Sequence, residues 1–165
     1  MTDVRPKVFV QILPLCESGG MVLAVLQRKD GGQPRADHRG KLTCFGGSSP
    51  DESKWDDQLA LLAERLSCQF ESETAEFLAD QAGPMEPWDS GIYSFEGRPQ
   101  RTFVYPCLLD GRETEVYREG LRLVEEGESV ILSLIEVKKL LDSPELWLPG
   151  FRDLLARALP SLEGR

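Results

Sequence analysis

A double glycine, Gly46-Gly47, divides the first part of the chain into two segments with different hydrophobic periods. Before it lie three short apolar runs that are typical of strands, "VFVQILPL" (8–15), "MVLAVLQRK" (21–29) and "KLTCF" (41–45). After it, apolar residues recur at helical spacing along one stripe, at Trp55, Leu59, Leu62, Leu66 and Phe70. The pattern predicts a hairpin and a third strand that lead through the glycines into an amphipathic helix over about 54–70.

On a helical wheel for this segment, Asp57 and Glu64 fall together on the side opposite the stripe, flanked by Ala60 and Leu61. Ser53 is the predicted start of the helix, with acidic residues following in the first turn. Glycine and proline content marks residues 30–40 as a loop, and residues 79–91 as another.

Later segments alternate between strand and helix patterns. "IYSFEG" and "RTFVYPCLLDG" predict two strands, and "VILSLIEVKKLLD" predicts a strand that runs into a short helix. "LPGFRDLLARALPSL" predicts a closing amphipathic helix that opens near Pro149. "YREGLRLVEEGES" fits either a charged strand with a loop or a frayed helix. The 165 residues are therefore expected to form one α+β domain, 1–165.

The charge of the chain restricts the partners that it can have. A formal net charge of −9 argues against a surface for bulk nucleic acid, although a nucleotide bridged by a divalent cation stays compatible with it. No apolar run is long enough to span a membrane, and the N-terminal run is interpreted as a strand rather than a signal peptide. The four cysteines form no C-x-x-C pair and are interpreted as small buried hydrophobes in a reducing cytoplasm.

The segments "VLAVLQRK" and "HRGKLTCFGG", followed by an amphipathic helix, resemble the Nudix superfamily. Its usual opening is a strand, a loop and then G-x-W-x-F-P-G-G. Here Leu42 stands where Trp is common and Phe45 where Pro is common. The resemblance implies an α/β/α sandwich around a mixed sheet. It also implies hydrolysis of nucleoside diphosphates linked to another group, with Mg²⁺ or Mn²⁺ as cofactor.

The catalytic signature of that superfamily is G-x5-E-x7-R-E-U-x-E-E-x-G-U, in which U is a bulky aliphatic residue. Its glutamates hold the cations that neutralise phosphate charge and activate water. Counted from Gly47, the first Glu falls on Ser53, R-E on 61–62 and E-E on 65–66. In this register and in the shifted ones, at most one helix glutamate matches and the arginine never does.

The resemblance still points to a set of candidate site residues. Glu64 and Glu52 are the catalytic candidates, and Glu52, Asp57 and Glu64 are the metal ligands if the domain is active. Glu126 and Glu128 are further carboxylates that can add ligands. For each of these residues the favoured interpretation is a solvated acidic side chain on the exposed helix face or in a loop.

Ligand contacts are expected from residues beside the 30–40 loop and from the glycines. Arg28 and Arg39, together with Arg35 and His38, can meet an anionic ligand. Gly46 and Gly47 either let backbone amides approach a phosphate or make a sharp turn between strand and helix. Trp55 is expected to anchor the helix to the core, whereas Trp88 and Trp147 fit either the core or the edge of a binding cleft.

Two functions of different class follow from these residues. The first is a Nudix-like domain with a degenerate catalytic motif, which binds a nucleotide, another diphosphate compound or a protein partner with little or no hydrolysis. The second is an active metal-dependent hydrolase with a rebuilt metal site. A homodimer and a purely structural role also stay open.

Overall fold

A mixed sheet forms the centre of the structure. The computed structural model describes residues 5–29, 39–109, 127–148 and 150–163. Within this part of the chain one sheet contains seven strands: β1 Lys7–Ser18, β2 Met21–Lys29, β3 Leu42–Thr43, β4 Phe45–Gly47, β5 Trp88–Phe95, β6 Arg98–Leu109 and β7 Gly127–Ser133. β1 pairs in parallel with β6 and antiparallel with β2 and β4. β2 also pairs antiparallel with β3 and β7, and β5 pairs antiparallel with β6.

Helices cover both faces of the sheet. They are α1 Gln58–Gln69, α2 Ser72–Ala82, α3 Leu134–Leu140 and α4 Phe151–Glu163. Alternate residues of β1 point to opposite faces, so Val10 and Ile12 pack with α1 and α2 while Leu13 and Leu15 pack with α3 and α4. Burial on both faces explains the nearly continuous apolar sequence of β1. The predicted α/β/α sandwich with a mixed sheet is confirmed.

The helix predicted over about 54–70 begins later and in two parts. Residues Glu52–Asp56 form a 3₁₀ turn, and α1 starts only after Asp57, whose extended backbone separates the two. Because the chain changes direction at Asp57, the helical phase differs from that of one continuous helix. Leu61 therefore faces the core although the wheel placed it outside, and Leu59 is exposed although it belonged to the predicted stripe.

The prediction of a loop over 79–91 is wrong at both ends. α2 extends to Ala82, and β5 already begins at Trp88. The helix buries Ala75, Leu78 and Ala82 at spacings of three and four residues, a stripe too weak in hydrophobicity to stand out in the sequence.

The C-terminal predictions agree with the structure where it describes them. β7 runs into α3 through Ser133, which forms a capping box with Glu136. The closing amphipathic helix is α4, although Pro149 itself lies outside the described residues. Most of "YREGLRLVEEGES" also lies outside them, so its two interpretations stay open. No helix of the described segments is long and apolar enough to cross a membrane.

Three of the four cysteines are buried, as predicted, namely Cys16, Cys44 and Cys107. Burial raises the pKa of the Cys107 thiol to about 12. The prediction is wrong for Cys68, which is exposed on the outer face of α1. Trp55 and Trp147 are both buried and pack in the two cores, which confirms the anchoring role of Trp55.

Candidate functional site

The double glycine lies against the first strand. In the antiparallel pairing of β1 with β4, Gly46 stands opposite Gln11 and Gly47 opposite Val10. Gly46 has a φ of +125°, and a Cβ there would lie 2.9 Å from the Cα of Gln11 and closer still to the Val10 carbonyl oxygen. Since these contacts are with backbone, they leave no room for any side chain at Gly46.

A buried glutamine at the end of α1 fixes the same glycine. The Gly46 N–H donates to Gln69 Oε1 at 2.9 Å, and Gln69 Nε2 donates to the Gly46 carbonyl oxygen at 3.1 Å. Both backbone groups of Gly46 are thus bonded to one side chain of the domain. Sequence reasoning missed Gln69, although an uncharged polar residue next to Phe70 at the end of an apolar stripe is a signal for a buried hydrogen bond.

The segment between the glycines and α1 is held by its own side chains. Trp55 Nε1 donates to the Ser49 carbonyl oxygen at 2.8 Å, and Asp51 caps the 3₁₀ turn by accepting from the Ser53 N–H at 3.0 Å. Arg5 donates to the Glu52 carbonyl oxygen at 3.1 Å and forms an ion pair with Asp56. The loop is therefore built around capping and aromatic packing.

The three predicted metal ligands have separate surroundings. Asp57 accepts the Ala60 N–H at 3.1 Å as the N-cap of α1, and the Glu52 side chain is exposed. Glu64 Oε1 lies 2.7 Å from the ammonium of Lys54, and this hydrogen bond raises the pKa of Lys54. Among the described residues, no group of three or more His, Cys, Asp or Glu side chains is placed to hold a metal.

This donor set does not suit the cofactor that the fold family implies. Mg²⁺ requires near-octahedral oxygen coordination, and the carboxylate best placed on the helix already has a lysine ammonium as its counter-ion. Leu61, which precedes Glu64 by three residues on the same helix, is buried and apolar and cannot be a ligand. The described residues around Glu64 therefore do not fit a Mg²⁺ or Mn²⁺ site.

A second cation lies on the helix side of the glycines. The guanidinium of Arg65 lies beside Gly47. A Cβ added to Gly47 would be only 3.2 Å from Arg65 Nε. Counted from Gly47, Arg65 occupies the first position of the E-E pair of the signature. A positive side chain thus stands where that register has a carboxylate.

The predicted ligand-binding arginines lie elsewhere. Arg28 Nη1 is 3.4 Å from Glu128 Oε1 across the β2–β7 pairing, so a carboxylate already faces it. Arg39 is exposed next to the end of β2 and the start of β3. Arg35, His38 and Glu126 lie outside the described residues. Ligand binding by Arg28 and Arg39 stays a prediction.

A cavity of about 240 Å³ opens on the α4 side of the sheet, next to the glycine pair. Four aromatic side chains line it, from β1, β5 and the start of α4: Phe9, Tyr93, Phe95 and Phe151. Its polar lining comes mainly from the sheet: Lys7, Gln11, Thr43, Gln100 and Thr102. Such a combination of rings and a few polar groups is typical of small-molecule sites.

Tyr93 and the Trp147–Leu148 segment fix the wall of this cavity. Tyr93 Oη and Thr102 Oγ1 are 2.8 Å apart, and burial raises the pKa of Tyr93. The Leu148 N–H donates to the Leu42 carbonyl oxygen at 3.0 Å, which attaches the segment before α4 to β3. The cavity is thus bounded by elements that the sheet holds in place.

Similar structures were found among solved proteins, whereas no protein-family model and no curated protein matches the sequence. The Ap4A hydrolase of C. elegans, in a binary complex, has a TM-score of 0.59 at 14% identity, covering 96% of this chain and 99% of its own. The NUDIX domain of Shewanella oneidensis NrtR, complexed with ADP ribose, has a TM-score of 0.61 at 12% identity, covering 96% and 89%. The MutT protein from Methanosarcina mazei Go1 has a TM-score of 0.57 at 18% identity, covering 100% of both chains.

These likenesses and the sheet topology together show that the chain has the Nudix fold. At such low identity the likeness concerns the fold. Activity has to be argued from the side chains of the site.

Proposed function

We propose that this Nudix-fold domain binds a nucleotide-type small molecule with little or no hydrolysis of its diphosphate. The observation that supports the proposal is the position of two cationic side chains beside Glu64 and the glycine pair. Lys54 neutralises Glu64, and Arg65 stands beside Gly47. Positive side chains can bind phosphate directly by charge-assisted hydrogen bonds.

The cavity supplies the complementary apolar part of the site. Gln11 lines the cavity, and its strand partner is Gly46, so the cavity and the glycine pair are adjacent. We therefore place the ring system of the ligand in the cavity and its anionic part beyond Lys7. Arg65 lies on the α1 face, and the phosphates would reach it around the edge of β4, which pairs only with β1 among the described residues. The ligands named for two of the similar structures, Ap4A and ADP ribose, are of this chemical class.

Without a bound metal, the domain lacks the group that neutralises the transition state of diphosphate hydrolysis. Loss of a positioned metal forfeits several kcal/mol of transition-state stabilisation. Neither Lys54 nor Arg65 replaces the second role of the metal, which is to lower the pKa of an attacking water. Binding can thus persist while turnover is lost.

Calorimetric titration of the domain with ADP and adenosine, in the presence of EDTA, tests the proposal. ADP is expected to bind, and Arg65→Gln is expected to weaken ADP about tenfold while leaving adenosine affinity unchanged. Arg98→Gln is the matched control because it removes the same charge from an exposed arginine at the start of β6. Binding of ADP only when Mg²⁺ or Mn²⁺ is added would contradict the proposal and favour a rebuilt metal site.

A further inference from the structure

Gln11 is an unusual residue for its position. It lies in the middle of β1 and is only 8% exposed, within a strand whose other buried residues are almost all apolar. Its Nε2 donates to Thr43 Oγ1 at 3.0 Å, but its Oε1 is buried and has no hydrogen-bond partner among the described residues. An unpaired buried acceptor destabilises a fold by roughly 1–3 kcal/mol, so its retention calls for a reason other than stability.

The position of Gln11 offers such a reason. Gln11 and Thr43 both line the cavity, and the terminal torsion of a glutamine turns easily, so the amide oxygen can meet a group placed there. The bond from Nε2 to Thr43 orients the amide, and its buried oxygen is left as an acceptor without a partner among the described residues. A ligand that pairs with this oxygen must therefore bring a hydrogen-bond donor.

The size and lining of the cavity further limit which ligands can fit. Its volume of about 240 Å³ is below the roughly 300–1,000 Å³ of sites that enclose a whole drug-sized molecule, so it suits one ring system. The four aromatic side chains offer stacking surface, which favours the larger ring system of a purine.

We propose that Gln11, held by Thr43, is the specificity-determining residue of the cavity and selects an amino-substituted purine. The exocyclic amine donates to Gln11 Oε1, and the Thr43 hydroxyl donates to the neighbouring ring nitrogen. Adenine presents this pair of groups, an N–H₂ donor beside a nitrogen acceptor. The inference rests on the proposed nucleotide binding and specifies which base is bound.

The test compares ADP with purine riboside 5′-diphosphate, which has the same ring and phosphates but lacks the amine. The wild type is expected to bind ADP about tenfold more tightly, the effect of one buried hydrogen bond. Gln11→Met keeps the side-chain volume and is expected to bind the two compounds equally. Gln100→Met makes the same change at another glutamine of the cavity lining and is expected to keep the preference.

Two results would overturn the assignment while leaving nucleotide binding intact: equal affinity of the wild type for the two compounds, or a preference that survives in Gln11→Met. If neither compound binds, the proposed function is refuted, and this inference with it. If Gln11→Met fails to fold, the wild type alone suffices. At saturation, ADP is then expected to shift the NMR signals of the Gln11 side-chain amide further than purine riboside 5′-diphosphate does, and equal shifts would overturn the assignment.

Discussion

Replacing Gly46 with alanine is expected to destabilise the domain severely. A Cβ at this position would lie 2.9 Å from the Cα of Gln11 and closer still to the Val10 carbonyl oxygen, whereas carbon atoms in contact prefer about 3.5–4.0 Å. The opposing atoms are backbone atoms of the central strand, which cannot turn away as a flexible side chain would. β4 must therefore separate from β1, or α1 must lose its bond through Gln69.

The magnitude follows from two contributions. A φ of +125° strains an alanine by about 1–3 kcal/mol, and overpacking in a tight interior adds about 1–3 kcal/mol. The sum, about 2–6 kcal/mol, is a large fraction of the roughly 5–15 kcal/mol that stabilises an ordinary domain. Gly97→Ala separates the two effects, because Gly97 also has a positive φ, +77°, but a Cβ there meets nothing within 4 Å.

Urea denaturation followed by tryptophan fluorescence gives the free energy of unfolding of both variants. Trp55 and Trp147 are buried in the two cores and report on unfolding of both faces of the sheet. We expect Gly97→Ala to lower the free energy of unfolding by about 1–2 kcal/mol and Gly46→Ala by at least twice that amount. Equal losses for the two variants would refute the argument that close backbone approach, rather than backbone conformation, requires glycine at Gly46.

Three further outcomes are expected. Gln69→Leu leaves the N–H and C=O of Gly46 unpaired and should lower the free energy of unfolding by about 2–4 kcal/mol in the same assay; a loss below 1 kcal/mol would contradict the role given to Gln69. Thiol titration of the folded protein should detect one fast-reacting cysteine, Cys68, and all four only after unfolding; two or more fast thiols in the folded state would be inconsistent with the burial described. Hydrogen bonds from Arg101 lower the pKa of Asp89, so its contribution to stability is present above its unfolded pKa of about 4 and is lost as the pH falls through the lower folded value. Asp89→Asn should therefore reduce the fall in stability on acidification, and an unchanged acid profile would show that the pair contributes nothing.

Much of the fold could be predicted from the sequence because the apolar patterns of its main elements are strong. The runs that became β1, β2 and β6 are almost continuously apolar, and the period changes clearly after Gly47. The double glycine marks this change in the sequence. Its structural reason, the approach of Gly46 to Val10 and Gln11, required the pairing of β1 with β4.

The errors arose where one residue interrupts a periodic pattern. Asp57 ends the 3₁₀ turn and caps α1, and this break changed which leucines face inward. A helical wheel drawn through Asp57 assumes one continuous helix. It therefore predicts that Leu59 is buried and Leu61 exposed, which is the reverse of the structure. α2 was missed because its stripe consists of small residues together with Leu78.

The candidate site could be predicted only in part. Counting along the signature identified the loss of matching glutamates, but the pairing of Glu64 with Lys54, ten residues away, depends on how the 3₁₀ turn folds back on α1. Gln11, Thr43 and Tyr93 come from three strands and meet only in the folded sheet. Polar residues in apolar strands were the available signal, and Gln11 was one of them.

The most direct test of the central claim is metal-dependent turnover. Purified domain would be incubated with ADP ribose or a dinucleoside polyphosphate, with Mg²⁺ or Mn²⁺, and cleavage products would be measured for the wild type and for Glu64→Gln. The charge arrangement around Glu64 and Gly47 predicts no metal-stimulated cleavage by the wild type beyond that of Glu64→Gln. Metal-dependent cleavage that disappears in Glu64→Gln would contradict it and identify an active hydrolase.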